Sequence, residues 1–259
     1  MQTISSYEKV QMARSKERPG IMDYIHTLFD GFIEFHGDRL YRDDPSIVGG
    51  IALFHDIPVT IIGQRKGKTT EEQVAYNFGM TSPEGYRKAR RLMEQAEKFG
   101  RPVITFIDTP GAYPGMEAES NGQSNAIAEN LAYMSAMRTP SIAIVTGEGS
   151  SGGALALAVS DRVWMLENAV YSILSPEGFA SILYKDAKRA AKASDAMKLT
   201  AQDLKRFGLI DGIIPEGKKM FLAIDNMLTR ELEKLRKMNK STLVETRYKK
   251  FREIDHMND

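Results

Sequence analysis

The sequence predicts an α/β fold built largely on parallel strands, and three observations carry that reading. From about residue 85 onward, amphipathic helical stripes alternate with apolar, β-branched runs, the pattern of parallel strands joined by helical crossovers. Two of those runs end in glycine-rich turns, where an α/β sheet usually receives its ligands. The 259-residue chain is 42% hydrophobic and 27% charged, ordinary for a folded domain able to bury a substantial core.

The first 20 residues are charged and end in Arg18-Pro19-Gly20, a break that sets off a helix or arm. In residues 21–35, Ile21, Ile25, Leu28, Phe29, Phe32 and Ile33 recur at helical spacing, which predicts one helix ending near Gly37. Residues 47–54 and 57–63 read as a hairpin with His55-Asp56 at its turn. Ala89, Leu92, Met93, Ala96 and Phe99 form a helical stripe that feeds a strand over 102–107. The alternation continues with helix 126–137, strand 141–146, helix 152–159 and strand 163–166. Thr200 can cap a helix running to Phe207, with Gly208 as its stop. A strand over 209–214 and a charged helix over 218–237 follow. The basic residues from Arg247 to Arg252 read as a solvated helix face. The expected organisation is an arm at 1–20, one domain at 21–240 and a charged tail at 241–259, without internal repeats.

Composition removes several function classes. A formal net charge of +1 gives no electrostatic footprint for nucleic acid or a membrane surface. The chain has no cysteine, which rules out disulfides, thiolate nucleophiles and cysteine metal sites. No run approaches the roughly 18 apolar residues of a membrane span, and the N-terminus lacks a signal-peptide core. The expected location is the cytoplasm.

The two turns are Asp108-Thr109-Pro110-Gly111-Ala112-Tyr113-Pro114-Gly115 and Gly147-Glu148-Gly149-Ser150-Ser151-Gly152-Gly153-Ala154. In the second, Gly152-Gly153 opens an Ala/Leu-rich helix, where unpaired N–H groups and the helix dipole can hold an oxyanion. Glycine there is equally explained by a sharp turn and tight helix–strand packing. Gly147 to Gly152 satisfies G-x-G-x-x-G, but neither a suitable acidic residue nor a P-loop lysine follows. Gly149-Ser150-Ser151-Gly152-Gly153 also fits a nucleophile elbow, with Ser151 as nucleophile. That reading needs a histidine base, and the chain has only His26, His36, His55 and His256.

Several long motifs then occur in order: Asn77-Phe78-Gly79-Met80, Pro83-Glu84-Gly85-Tyr86-Arg87-Lys88-Ala89, the two turns, Ser175-Pro176-Glu177-Gly178, and Gly208-Leu209-Ile210-Asp211-Gly212-Ile213-Ile214-Pro215. In these the chain resembles the alpha subunit of bacterial acetyl-CoA carboxylase carboxyltransferase, over residues 23–215. Two features depart from the family pattern: Ser150 stands where glycine is usual, and the N-terminal region is short. The resemblance implies a crotonase-like (ClpP/crotonase) fold of stacked ββα units with flanking helices, and residues 21–240 as the carboxyltransferase alpha domain. It implies an alpha2-beta2 assembly with each active site at an alpha–beta interface. The metal of the family belongs to the beta subunit, so none is expected here. The other implied partners are biotin carboxylase, the biotin carboxyl carrier protein and acetyl-CoA.

The implied reaction takes the carboxyl group from carboxybiotin on the carrier protein to acetyl-CoA, forming malonyl-CoA, the first committed step of fatty acid synthesis. Biotin is not attached to this chain, and its ureido nitrogen is the implied proton acceptor. The expected catalytic groups are the backbone amides of Gly152 and Gly153, with Gly111 and Ala112 beside them. Gly153→Val is expected to fold and to lose turnover about a hundredfold. Arg65 and Lys66, in a basic turn, are candidates for binding CoA phosphates or the carrier; a solvated turn is the alternative. Glu148, Asp108 and Thr109 read as structural, and Tyr171, Ser175 and Glu177 as unranked pocket candidates. The competing classes are another crotonase-type enzyme, such as a hydratase using Glu148 with Glu117 or Glu119, and a non-catalytic assembly subunit.

Overall fold

A computed structural model describes residues 4–254. After helix α1 (Ser6–Ala13) and α2 (Ile21–Leu28) come strands β1 (Asp30–Glu34), β2 (Ile47–Phe54) and β3 (Ile57–Gln64). Next are α3 (Thr70–Ala75), α4 (Pro83–Phe99), β4 (Val103–Thr109), α5 (Met116–Ser120), α6 (Gln123–Ala136) and β5 (Ser141–Ser150). The chain continues through α7 (Ser151–Leu155), β6 (Arg162–Leu166), β7 (Val170–Ser172), α8 (Pro176–Tyr184), α9 (Ala190–Met197) and α10 (Ala201–Arg206). It closes with β8 (Gly212–Ile214), α11 (Met220–Leu235) and α12 (Lys240–Arg252).

The sheet order is β1-β2-β3-β4-β5-β6-β8, with β7 pairing with β5 beyond the second turn. The first three strands are antiparallel and the later pairings are parallel. Strand order never reverses along the main path, which separates this crotonase-like architecture from a doubly wound sheet. The hairpin turn falls at His55 and Asp56, both left-handed with φ 45° and 63°, as a two-residue turn matched to strand twist requires. Ile61, Ile104, Ile142, Ile144, Val145 and Met165 are fully buried in one core with Leu92, Met93 and Leu228. The continuous apolar runs in the sequence therefore correspond to strands covered on both faces.

Four expectations change. The stripe over 21–35 is not one helix: α2 stops at Leu28, and Asp30–Glu34 pairs with β2, with left-handed Gly31 (φ 60°) in the strand. Short apolar runs satisfy either period, and the open edge of β2 decides for a strand. The helix expected at 152–159 is α7 alone, because Leu157 and Ala158 donate to the carbonyls three residues back and tighten the chain. The strand expected at 209–214 shortens to Gly212–Ile214.

The fourth change is at Arg247, which is 1% exposed and not on a solvated face. Its guanidinium donates to both Asp161 oxygens and to the carbonyls of Met134 and Met137. Buried charge persists only when paired and hydrogen-bonded in this way. Lys249 and Arg252 do lie at the surface. His256 and the rest of 255–259 lie outside the described residues.

Candidate functional site at the two glycine turns

β4 and β5 are parallel neighbours, so the turns that follow them emerge side by side. Their contact is intimate: a Cβ on Gly153 would lie 2.6 Å from the Ala112 nitrogen and 2.7 Å from the Gly111 carbonyl carbon. Gly153 therefore lets two backbones touch. Gly152 is different, since a Cβ there would meet only Ile127 side-chain carbons, the nearest at 3.4 Å. The structure thus corrects the expectation for Gly153→Val, in which the added side chain would force the turns apart and would not isolate a catalytic loss.

Ser151 begins α7 with φ 56°, the strained strand-to-helix turn that its motif predicted. Preceding it, Ser150 has φ −122°, an extended conformation any residue adopts, so serine fits where the family pattern has glycine. Among the described residues, no acceptor takes a hydrogen bond from the N–H of Gly152 or Gly153. These are the first-turn donors that a helix cannot satisfy internally. The Gly111 amide, by contrast, donates to Thr109 Oγ1 at 3.1 Å, and that hydroxyl contacts the Gly79 and Gly111 carbonyl oxygens. Thr109 braces its turn as expected.

In front of α7 lies a cavity of about 550 Å³, lined by Ser151, Gly152, Leu155, Tyr171, Ile173 and Phe179 among others. Of the four backbone candidates, Gly152 lines this space, Gly153 packs behind it, and Gly111 and Ala112 form the wall against Gly153. Tyr171 also lines it, and burial pushes its phenol well above the ordinary range. Ser175 instead caps α8 by accepting from the Gly178 N–H, and Glu177 is held by Arg14.

Behind the turns runs a chain of alternating charge. Lys66 Nζ contacts Asp108 at 2.8 Å and Glu148 at 2.7 Å. Arg14 donates to Glu148 at 2.7 Å and to Glu177 at 2.8 and 3.2 Å. Asp108 Oδ1 also accepts the Glu148 N–H at 2.9 Å. Burial would raise the Glu148 carboxyl, but Lys66 and Arg14 outweigh it and hold the group below its ordinary value. Burial would lower the Lys66 ammonium, and Asp108 with Glu148 instead raises it. The two partners move in consistent directions, so Glu148 stays ionised and is bound up as a brace.

Arg65 and Lys66 therefore part company. Arg65 stacks 4.3 Å over the Tyr76 ring, whereas Lys66 turns inward. Both line a separate cleft of about 180 Å³ against the N-terminal arm. That arm had no role legible in the sequence, yet Arg18 reaches the Thr146 carbonyl and Glu216, and Val10 packs with Val170 and Leu199. Ser151 has no histidine beside it among the described residues. His36 pairs with Asp43 and His55 with Asp225, away from the turns.

The sheet order and the paired turns after β4 and β5 define a protein of crotonase-like fold. A profile described as "Acetyl co-enzyme A carboxylase carboxyltransferase-like" matches residues 1–255. The carboxyl transferase subunit alpha of Clostridium acetobutylicum is 54% identical over 261 residues, covering 98% of this chain and 95% of the relative. The fused "subunits beta/alpha" protein of Natranaerobius thermophilus is 55% identical over 97% of this chain, which spans 43% of that longer protein. Among solved structures, a transcarboxylase 12S superposes over 91% of this chain and 46% of its own, with TM-score 0.72 and 17% identity. A Pseudomonas malonate decarboxylase hetero-tetramer chain gives 0.65 and 16%, over 79% of this chain and 85% of its own. Those two likenesses speak to the fold. The chain belongs to the acetyl-CoA carboxylase carboxyltransferase family, as its alpha-subunit type.

Among the described residues, no helix is long and apolar enough to cross a membrane, and no His/Cys/Asp/Glu group has a metal-binding arrangement.

Proposed function

We propose that this chain forms the alpha half of an interfacial site at which a carboxyl group carried on biotin is transferred to acetyl-CoA, giving malonyl-CoA. The observation that carries the reading is the pair of unpartnered amides at Gly152, which lines an apolar cavity, and Gly153, which packs behind it. The residues fit the group: apolar walls suit its hydrocarbon arm, and free N–H donors suit its ureido oxygen. When bound, carboxybiotin supplies the activated carboxyl group.

The chain's own contribution is electrostatic. Enolisation of the acetyl thioester puts negative charge on its oxygen, and the bound group would supply both the carboxyl and, at its ureido nitrogen, the acceptor for the methyl proton. Fixed backbone donors lower such barriers without a side-chain base, typically by a factor of about 10² to 10³ per donor. Gly152 and Gly153 are the proposed donors. Gly111 and Ala112 shape the wall that keeps Gly153 in place. Leu155, Tyr171 and Phe179 exclude water, and Glu148 remains a structural anion. Arg65, stacked on Tyr76, is the proposed contact for an anionic group on the carrier or on CoA.

The expected partners are a beta subunit completing an alpha2-beta2 enzyme, the biotin carboxyl carrier protein and biotin carboxylase, in the cytoplasm. The fused beta/alpha relatives support the first of these. The test is malonyl-CoA formation from acetyl-CoA and carboxybiotin by this chain, by its cognate beta subunit and by the co-purified pair. Turnover confined to the pair supports the reading; a stable pair without turnover refutes it.

A further inference from the structure

Gln64 closes β3 and is 2% exposed. In the sequence it is simply the residue before the basic turn of Arg65 and Lys66, but its side chain points inward and spans both glycine turns. Its Nε2 donates to the Gly153 carbonyl at 3.0 Å, and its Oε1 accepts from the Asp108 N–H at 3.2 Å. The amide orientation follows from the partners, since a carbonyl needs the NH₂ end and a backbone N–H needs the oxygen.

The Gly153 carbonyl requires such a partner. In a longer helix it would accept from Leu157 N–H, but that group bonds Ala154 instead. Gln64 and, at 3.3 Å, the buried Tyr86 hydroxyl take its place. A buried carbonyl left without donors is costly, and because a peptide unit is rigid, anchoring this carbonyl fixes the plane it shares with the Ala154 N–H, which is joined through the Gly153 Cα to the peptide carrying the Gly153 N–H. One side chain thereby ties the end of β4 to the first turn of α7, directly after the two peptides that carry the Gly152 and Gly153 N–H groups.

We propose that Gln64 is a positioning residue for carboxyl transfer, holding the first-turn amides of α7 in register with the turn after β4. The inference rests on the proposed donor role of those amides. It predicts an effect on the chemical step and little on substrate binding, because an oxyanion donor displaced by a fraction of an ångström still admits substrate but no longer meets the developing charge.

The experiment uses the complex with the cognate beta subunit, comparing wild type, Gln64→Met, which removes both bonds, and Gln64→Glu, which keeps the acceptor for Asp108 N–H. The expected result for Gln64→Met is co-purification with beta, an acetyl-CoA KM within about twofold of wild type, and kcat lower on the order of tenfold to a hundredfold. In Gln64→Glu an ionised carboxylate would face the Gly153 carbonyl, with Asp108 and Glu148 disfavouring the charge and Lys66 and Arg14 favouring it. Its kcat deficit should shrink as pH is lowered, because the protonated acid regains a donor. A scaffold role alone predicts no such recovery. Wild-type turnover with a Gln64→Met kcat within twofold of it, or a raised KM at unchanged kcat, would overturn the positioning role while leaving the proposed reaction intact. A wild-type complex without turnover would overturn both.

Discussion

The contact of one glycine turn on the other can be perturbed by a single methyl group. Gly153→Ala places a Cβ 2.6 Å from the Ala112 nitrogen and 2.7 Å from the Gly111 carbonyl carbon, about 1 Å inside ordinary contact distance. Both atoms are backbone, in a turn tied down by Thr109 and Asp108, so the overlap is relieved only by moving chain. Overpacking of this kind costs about 1–3 kcal/mol. At roughly 2–4 °C per kcal/mol for a domain of this size, a cost near 2 kcal/mol lowers Tm by about 4–8 °C. Gly152→Ala is the control, since its Cβ would contact Ile127 side-chain atoms at 3.4 and 3.8 Å. Helix propensity favours alanine there by about 0.5–1 kcal/mol, so its Tm should stay within about 2 °C of wild type or rise. Differential scanning calorimetry of the three proteins makes the comparison. Equal melting of Gly153→Ala and wild type would refute the packing of one turn against the other.

Arg247→Ala should destabilise the fold by about 3–5 kcal/mol in urea unfolding, because it leaves the Asp161 carboxylate buried without its charge partner. Adding Asp161→Asn should recover part of that loss. Lys66→Met should lower kcat with the acetyl-CoA KM unchanged, because Lys66 neutralises Asp108 and Glu148; a raised KM at constant kcat would instead put it on the substrate. Acid stability should depend on Asp43: burial would raise its carboxyl, but bonds from Lys88, the Gly37 N–H and His36 bring it from 3.8 to about 2. Since the folded value is the lower one, the contribution is present above about pH 4 and fades as pH falls toward 2. Asp43→Asn should therefore flatten the Tm–pH curve in that window, and an unchanged slope would show that the pairing is not coupled to folding.

How far the sequence reaches can be judged residue by residue. Apolar periodicity located the β2–β3 hairpin, α4, β4, α6 and β5, because strands buried on both faces and a helix with one buried stripe impose those periods directly. The Thr200 cap and the Ser151 turn were legible because each depends on the preferences of a few adjacent residues. The motif order carried the family resemblance, and with it the crotonase-like arrangement that periodicity alone could not separate from a doubly wound sheet. What the tertiary structure alone decided depends on contacts between residues far apart in the chain. Asp30–Glu34 became a strand because β2 offered an edge, and Arg247 became buried because Asp161, 86 positions away, needed a counter-charge. The paired glycines divide into Gly152, at the cavity, and Gly153, pressed on a second backbone, a distinction absent from the letters GG. Lys66 and Gln64 turn inward because Asp108, Glu148 and the Gly153 carbonyl meet the end of β3. Those hydrogen bonds form only once β3, β4 and β5 lie side by side, so no local pattern could announce them.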